Sequence, residues 1–534
     1  MQWHALGNSL FRRWTPFDMT PWRERGVSDL KDFVVAAAPF AGPIALLPRV
    51  SNAETDTERR LTIFTASGER LAEIPWQPYD AIAPLVHLSW TDAMRLVAVL
   101  ANGRCVSFTP KGDIAIALFS LLPLTMEQDE IVRCESWSGG VVVLTDKMAL
   151  VQVVVPVAGR PKSYVVSKNA VSPSDALTCM AVVEPRGVES AHPEILIATA
   201  DNMVRAISFG YQRVFMHEPL DAPIALIAAP SAASSSLIAI FTEDGVLTIL
   251  DTSCDSKTLV FHTQSKTPPL AMCWCGDDAV ALYWPSAGVV LVGLSASWLR
   301  FPMSQSAEEE CVLVQEIDCC RLYGATGHDV FIRVPPSMER AKRTNEEPVT
   351  GTGAIAIAAN ADGAAAMLLR SKAAMDAADH EVSDALCRTL KRQGTLQVAI
   401  DDCIDAAGHA FDHTEQSRYL EAAMHGREQL EFDEDDDAMT TTSSSDEADD
   451  IASTSESTAE TNPNSDSFAE MCKTIRVLNA LRQPNVGLPL TIDGYKALGA
   501  ENVMRRLVSM RQRSLARKMS KYLLLSPDIL LDTE

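Results

Sequence analysis

Along the first two-thirds of the chain, apolar residues recur at every second position in short β-branched runs separated by Gly, Asp-Gly and Asn-Gly. A period of two marks strands with one covered face. The turns between the second and third strand of successive units align at Asn102-Gly103, Asp146-Lys147, Asp201-Asn202, Asp244-Gly245, Ala287-Gly288 and His328-Asp329, in steps of 44, 55, 43, 43 and 41 residues. The flanking strands repeat as well: Leu96 to Leu100 then Arg104 to Phe108, Leu237 to Phe241 then Val246 to Leu250, Ala279 to Tyr283 then Val289 to Leu294. A further unit precedes these, with Val34 to Ala38, Ile44 to Leu47, Leu61 to Thr65 and Arg70 to Ile74. Seven four-stranded units at a period of ~40–45 residues predict a β-propeller. Each sheet leaves an apolar face that only its neighbour can cover, so the array has to close into a ring. The seventh unit lacks a fourth strand after Phe331 to Val334, and Leu10 to Phe17 is predicted to supply it by pairing the two ends of the domain. Two stacked sandwiches are the alternative with similar strand content, and radial symmetry separates the two.

After Gly353 the spacing becomes helical, first over Ala364 to Met375 and then over Val382 to Lys391. Leu396, Ile400, Cys403 and Ile404 continue the pattern, with Gly408 as a predicted stop. Ser467-Phe-Ala-Glu470 has the form of a capping box opening a helix over Phe468 to Arg482. Thr491 is placed to cap a short helix to Leu498, and Val503 to Leu507 and Leu515 to Leu525 supply more. The predicted organisation is a seven-bladed β-propeller over residues 1–350 and a linker with the first helices of an α-solenoid over 351–430. A disordered acidic insert over 431–467 and a solenoid continuation over 468–534 follow. The uncovered Leu524, Leu525, Ile529, Leu530 and Leu531 before Glu534 lead us to expect a truncated product or a fragment of a longer subunit.

Composition refines this picture in three places. The chain has 534 residues, is 47% hydrophobic and carries a formal charge of −24. That apolar fraction excludes wholesale disorder, and the acidity disfavours a nucleic-acid partner. Glu431 to Ser467 holds thirteen acidic residues and no Lys or Arg, which is why it is read as a disordered spacer. Ser443, Ser444, Ser453 and Ser457 each have an acid three residues downstream and are candidate phosphorylation sites. The longest apolar stretch, Phe33 to Pro48, contains three prolines in 16 residues, short of the ~20 needed to span a bilayer as a helix. The amino terminus has no apolar signal core, so a cytoplasmic protein with reduced cysteines is expected.

No pattern of catalytic residues outweighs ordinary packing, and no enzyme activity or cofactor is predicted. Gly293-Leu-Ser295-Ala-Ser297 lacks the closing glycine of a nucleophile elbow, and Gly351-Thr-Gly353-Ala-Ile-Ala356 follows Glu346, Glu347 and Pro348 where a dinucleotide loop needs a buried strand. Cys273-Trp-Cys275 and Cys319-Cys320 have the wrong spacing for zinc, and Gly408 interrupts the run that would unite Cys403, His409 and His413. No metal is expected. Trp76, Trp90, Trp137, Trp274, Trp284 and Trp298 recur in the repeats and are assigned to the seals between blades. One surface feature stands out: eight basic residues and a single acid, Glu501, lie between Lys496 and Lys521. Arg505, Arg506, Arg511, Arg513, Arg517 and Lys518 are the candidate contacts with an acidic partner or an anionic membrane surface. A solvated helix face is the plainer reading of the same residues.

A propeller followed by an α-solenoid is shared by coat, tether, ciliary-transport and nuclear-pore scaffolds. Phe33-Val-Val-Ala-Ala-Ala-Pro-Phe-Ala-Gly-Pro-Ile-Ala-Leu-Leu47 and Met272-Cys-Trp-Cys275 resemble the vacuolar protein sorting-associated protein 16 family. So do Cys403-Ile-Asp-Ala-Ala-Gly-His409, Tyr419-Leu-Glu-Ala-Ala-Met-His-Gly426, Ser467 to Leu481, Gly487-Leu-Pro-Leu490, Tyr495-Lys-Ala-Leu498 and Val503 to Leu507. The resemblance implies a core subunit of the homotypic fusion and protein sorting and class C core vacuole/endosome tethering complexes. Other class C subunits and an SM-family SNARE-regulating subunit would then be its partners. It also implies a peripheral location on late endosomes and lysosomes or the vacuole. The acidic insert is longer than the family's linker there, and the later solenoid that docks the SM-family subunit is absent from these residues.

Overall fold

The computed structural model describes residues 2–49, 59–156, 159–171, 176–185, 192–214, 218–230, 237–251, 257–303, 309–341, 363–440 and 463–526. They form two compact units, one of Trp3–Arg333 with the chain from Ala480 onward, the other of Val334–Asn479.

In the first unit seven antiparallel sheets follow one another, each built from strands consecutive in sequence except the last. The first strand of each sheet packs against the first strand of the next, so the first strands line the axis and the fourth strands the rim. Second strands such as Leu96–Leu100 and Gly140–Thr145 are buried at every position because both faces meet a neighbouring blade. The ring closes as anticipated: Ser9–Asp18 pairs antiparallel with Gly327–Arg333, Phe11 opposite Arg333 and Trp14 opposite Val330. Trp3–Leu6 adds a fifth strand to that sheet.

Polar links run around the axis at the ends of the inner strands. Trp90 donates its indole N–H to Ala36 O in the preceding blade at 3.1 Å, and Trp274 does the same to Ala228 O at 3.0 Å. Ser138 donates both its backbone N–H and its hydroxyl to the Glu184 carboxylate, at 2.8 and 2.6 Å. Gln315 accepts from Trp274 N and donates to Ala229 O, joining the fifth, sixth and seventh blades. Trp76, Trp90, Trp274 and Trp284 are buried as predicted, but Trp298 is 55% exposed because it lies on an outermost strand with no blade beyond it. The seventh turn also differs. His328 and Asp329 lie within the Gly327–Arg333 strand, and the hairpin bends over residues 324–326 instead.

The second unit is helical: Pro336–Ala341, Ala364–Asp376, His380–Arg392, Leu396–His409, His413–Thr440 and the helix that begins at Pro463. Asp379 caps the third of these through Val382 N. The fourth runs through Gly408, which is buried within its last turn. The helix over Pro463–Leu481 starts four residues before Ser467, since proline suits a first helical turn, so the capping box does not mark its start. Residues 431–440 belong to the His413–Thr440 helix and 463–467 to the next. The remainder of the acidic insert, including Ser443, Ser444, Ser453 and Ser457, lies outside the described residues.

Candidate partner-binding surface

The helices Ile492–Leu498, Ala500–Ser509 and Arg513–Tyr522 carry the predicted basic ridge, and they group with the propeller, whereas the sequence had suggested a solenoid continuation. Thr491 caps the first, its hydroxyl accepting from Gly494 N at 2.9 Å.

The reason for this grouping is a set of anchors spread over residues 482–506. Ser67 donates to Pro484 O at 2.7 Å. Gly487, at φ +68°, lies so close to the first blade that an added Cβ would stand 2.5 Å from Ser67 Oγ and 2.8 Å from Thr65. Leu488 and Leu490 are fully buried. Arg321 of the seventh blade donates to Pro489 O at 3.1 Å, and Arg482 donates to Leu490 O at 3.0 Å with its guanidinium 5.5 Å over the Trp14 ring. The Gly487-Leu-Pro-Leu490 tract is thus the docking strip that holds the following helices on the ring.

Beneath it, Glu316 and Arg321 form an ion pair at 2.7 Å in which neither side chain is more than 1% exposed. Glu316 also accepts from Ala41 N at 2.6 Å. The Arg321 guanidinium is held firmly protonated by the Glu316 carboxylate despite its burial. Burial and the nearby Glu316 charge push the Asp318 carboxyl up to about 6. Arg482 is brought down to about 9 by burial and by the Arg12 and Arg321 charges.

Glu316, Asp318 and Cys319 bring three possible ligand atoms together. Their surroundings argue against a cation, because Arg321 already neutralises Glu316 and burial holds the Cys319 thiol well above its ordinary value. Cys320 links to both Cys273 and Cys275 through their thiols, a meeting of two distant pairs that spacing alone could not reveal. All three are buried and free, and burial raises Cys320, so they serve as core.

The six predicted contact residues divide. Arg506 is buried at 2%, donating to Pro39 O at 2.7 Å and Phe40 O at 3.3 Å with its guanidinium 5.3 Å over the Phe40 ring. It is an anchor, and its place in the ridge is corrected: position 506 falls three residues after Val503 and beside Leu507, on the buried stripe of its helix. With Glu316 it secures a turn in which Phe40 and Ala41 both adopt positive φ, at +55° and +52°. Burial brings its guanidinium down to about 10.

Arg505, Arg511, Arg513, Arg517 and Lys518 are exposed. Arg505 lies 3.9 Å from Glu501 and donates to Asn502 Oδ1 at 3.0 Å, and Arg511 reaches Lys111 O at 3.4 Å. Arg513, Arg517 and Lys518 are exposed on a helix whose buried residues are Ala516, Met519 and Ser520.

In the helical unit, Ser371 Oγ lies 3.1 Å from Cys387 Sγ and 3.0 Å from His425 Nε2, with Ser383 also in contact. Burial raises the thiol and lowers the imidazole, so both stay neutral and the group acts as a polar knot joining three helices. Cys403, whose thiol burial pushes up to about 12, is not gathered with His409 and His413; His409 faces Asp405 at 3.8 Å and His413 faces Ser417 at 3.3 Å. Among the described residues no helix is long and apolar enough to cross a membrane.

Similarity to known proteins extends over nearly the whole sequence. Protein VACUOLELESS1 of Arabidopsis thaliana is 26% identical over 99% of this chain and 57% of its own length. The vacuolar protein sorting-associated protein 16 homolog of Dictyostelium discoideum is 29% identical, again over 99% of this chain and 57% of that protein. Its Drosophila melanogaster counterpart is 20% identical over 94% and 54%. The chain therefore spans a little over half the length of these relatives. The family described as Vps16, N-terminal region, matches residues 1–440. This chain belongs to that family.

Proposed function

We propose that the chain is a non-enzymatic scaffold subunit of an endosomal and lysosomal, or vacuolar, membrane-tethering assembly, serving vesicle docking, SNARE-dependent fusion and intracellular protein transport. The observation that carries this reading is the match to relatives named as vacuolar protein sorting-associated protein 16 homologs over 94–99% of the chain. The architecture supports it physically. A closed ring cross-linked at its axis is a rigid platform, and many modest contacts on a rigid platform add up through effective concentration.

Its partners under this reading are other class C tethering subunits, with an SM-family subunit joining through the complex, and its membrane association is peripheral. The exposed Arg505, Arg511, Arg513, Arg517 and Lys518 would meet an acidic surface, worth ~1 kcal/mol per charge near an anionic membrane. Affinity purification of the tagged chain from cells tests the function. Recovery of other class C subunits supports it. Recovery of coat, ciliary-transport or pore components would favour another propeller scaffold, and a lone protein with hydrolytic turnover would overturn the scaffold role.

A further inference from the structure

A groove of about 500 Å³ runs along the cleft between the fifth and sixth blades, far in sequence from the basic ridge. Its size is that of ordinary ligand clefts. Phe261, Trp284, Ala287 and Val290 give it an apolar side, His262, Gln264 and the hydroxyls of Thr263, Ser265, Thr267 and Ser286 a polar one, and Trp298 lies along it, 55% exposed. An aromatic ring of that size left open on a rim strand is unusual in a ring whose other repeat tryptophans are mostly buried. Val260, Leu270 and Leu294, also exposed, fall in the same stretch of sequence.

The groove is built and held. Trp284 donates its indole N–H to Thr267 O at 3.0 Å, tying the loop that follows the fifth blade to the sixth. Arg300 donates through Nε to Ala287 O at 2.7 Å, which fixes its guanidinium at the groove's edge. Lys266 stands between two lining residues, Ser265 and Thr267, and is exposed. No carboxylate lines the groove, and among the described residues neither Arg300 nor Lys266 forms an ion pair. An apolar side with hydrogen-bonding groups facing it, two cations next to lining residues and no carboxylate in the lining fit one kind of occupant.

We propose that this groove docks an extended acidic peptide segment of a partner protein, placing large apolar side chains on the floor beside Trp298 and carboxylates toward Arg300 and Lys266. An exposed tryptophan next to an arginine has the composition of a binding hot spot. A peptide in extended form advances ~3.3 Å per residue with alternate side chains on one face. Alternating apolar and acidic residues therefore satisfies floor and rim together.

The test is fluorescence polarisation with a labelled peptide of about eight residues, ~3.3 Å each, alternating Leu or Phe with Asp or Glu. The titrant is the 534-residue chain. Binding is expected, weakening as salt rises. W298A should weaken it ~10-fold or more. The pair K266E and R300E, both on the surface, should weaken it several-fold and abolish the salt dependence, with melting temperatures unchanged in all variants. A peptide carrying Lys in place of the acids should not bind. The proposal is overturned if the acidic peptide fails to bind, or if W298A binds it as well as the parent chain. It is equally overturned if W298A instead abolishes self-association in sedimentation or binding to anionic vesicles, since the groove would then serve a second copy or a lipid surface.

Discussion

Arg321 and Glu316 pair at 2.7 Å with both side chains sealed from solvent, and the remaining valences of each hold something else in place. Glu316 fixes the Ala41 turn and Arg321 fixes Pro489, so one buried pair ties the first blade, the seventh blade and the docking strip together. Truncating one member of such a pair strands the other charge, at a cost of ~3–5 kcal/mol. R321M should therefore lower the urea midpoint of the chain strongly, while the double substitution E316Q and R321M should recover a large part of the loss. Equal destabilisation by both variants would show that the pairing is not what matters.

Gly487→Ala probes the same strip by shape. The added methyl meets Ser67 Oγ at 2.5 Å from a backbone already at φ +68°. A loss of ~1–3 kcal/mol is expected. Limited proteolysis should then cut between residues 484 and 512 earlier than in the parent chain, and unchanged protection there would contradict the docking.

Arg506 and Arg517 differ in kind although they lie on neighbouring helices. R506A removes two backbone contacts and a ring contact from a buried site and should lower the melting temperature by several degrees. R517E together with K518E alters exposed positions, so stability should stay within ~0.5 kcal/mol while retention of acidic partners or anionic vesicles falls. If both variants melt alike, the division of the ridge into anchor and surface is wrong.

Asp318 gives a pH signature. Its carboxyl titrates at about 6 in the folded chain against an ordinary 3.8, so the folded state favours the proton. That preference supports stability fully below the ordinary value and is lost as pH rises through 6. D318N has no such charge to lose. It should be more stable than the parent at pH 7.5, by up to ~3 kcal/mol, and the advantage should shrink to nothing toward pH 4. A pH-independent difference in urea midpoint would remove Asp318 as its source.

Much of this architecture was legible because local chemistry and fold agree. Asn102-Gly103 and Asp244-Gly245 sit at hairpin turns, with Gly103 and Gly245 at the positive φ such turns require. Leu10 to Phe17 could be assigned to ring closure because a seventh blade without a rim strand is an exposed edge. Where reading failed, the competing signal was as local as the successful one. His328-Asp329 has turn-like composition, yet the bend falls on residues 324–326 and buries His328 in the strand. Trp298 follows the tryptophan spacing but lies on the rim, which spacing does not encode. Arg506 belongs to a run of basic residues, and only the helical phase of Val503 and Leu507 gives its burial away. The grouping of Arg482 with Glu316 and Arg321 was beyond reach, since those two flank a single hairpin of the seventh blade and Arg482 reaches them only because residues 482–506 return to the ring.

The scaffold role is tested most directly by size-exclusion chromatography of a lysate containing the tagged chain, with mass spectrometry across the column. The account predicts that a substantial fraction elutes far above 58.0 kDa together with other class C tethering subunits, and that nuclease treatment leaves the peak unmoved. Elution wholly at the monomer position, or in a peak holding coat or pore components without those subunits, would contradict it.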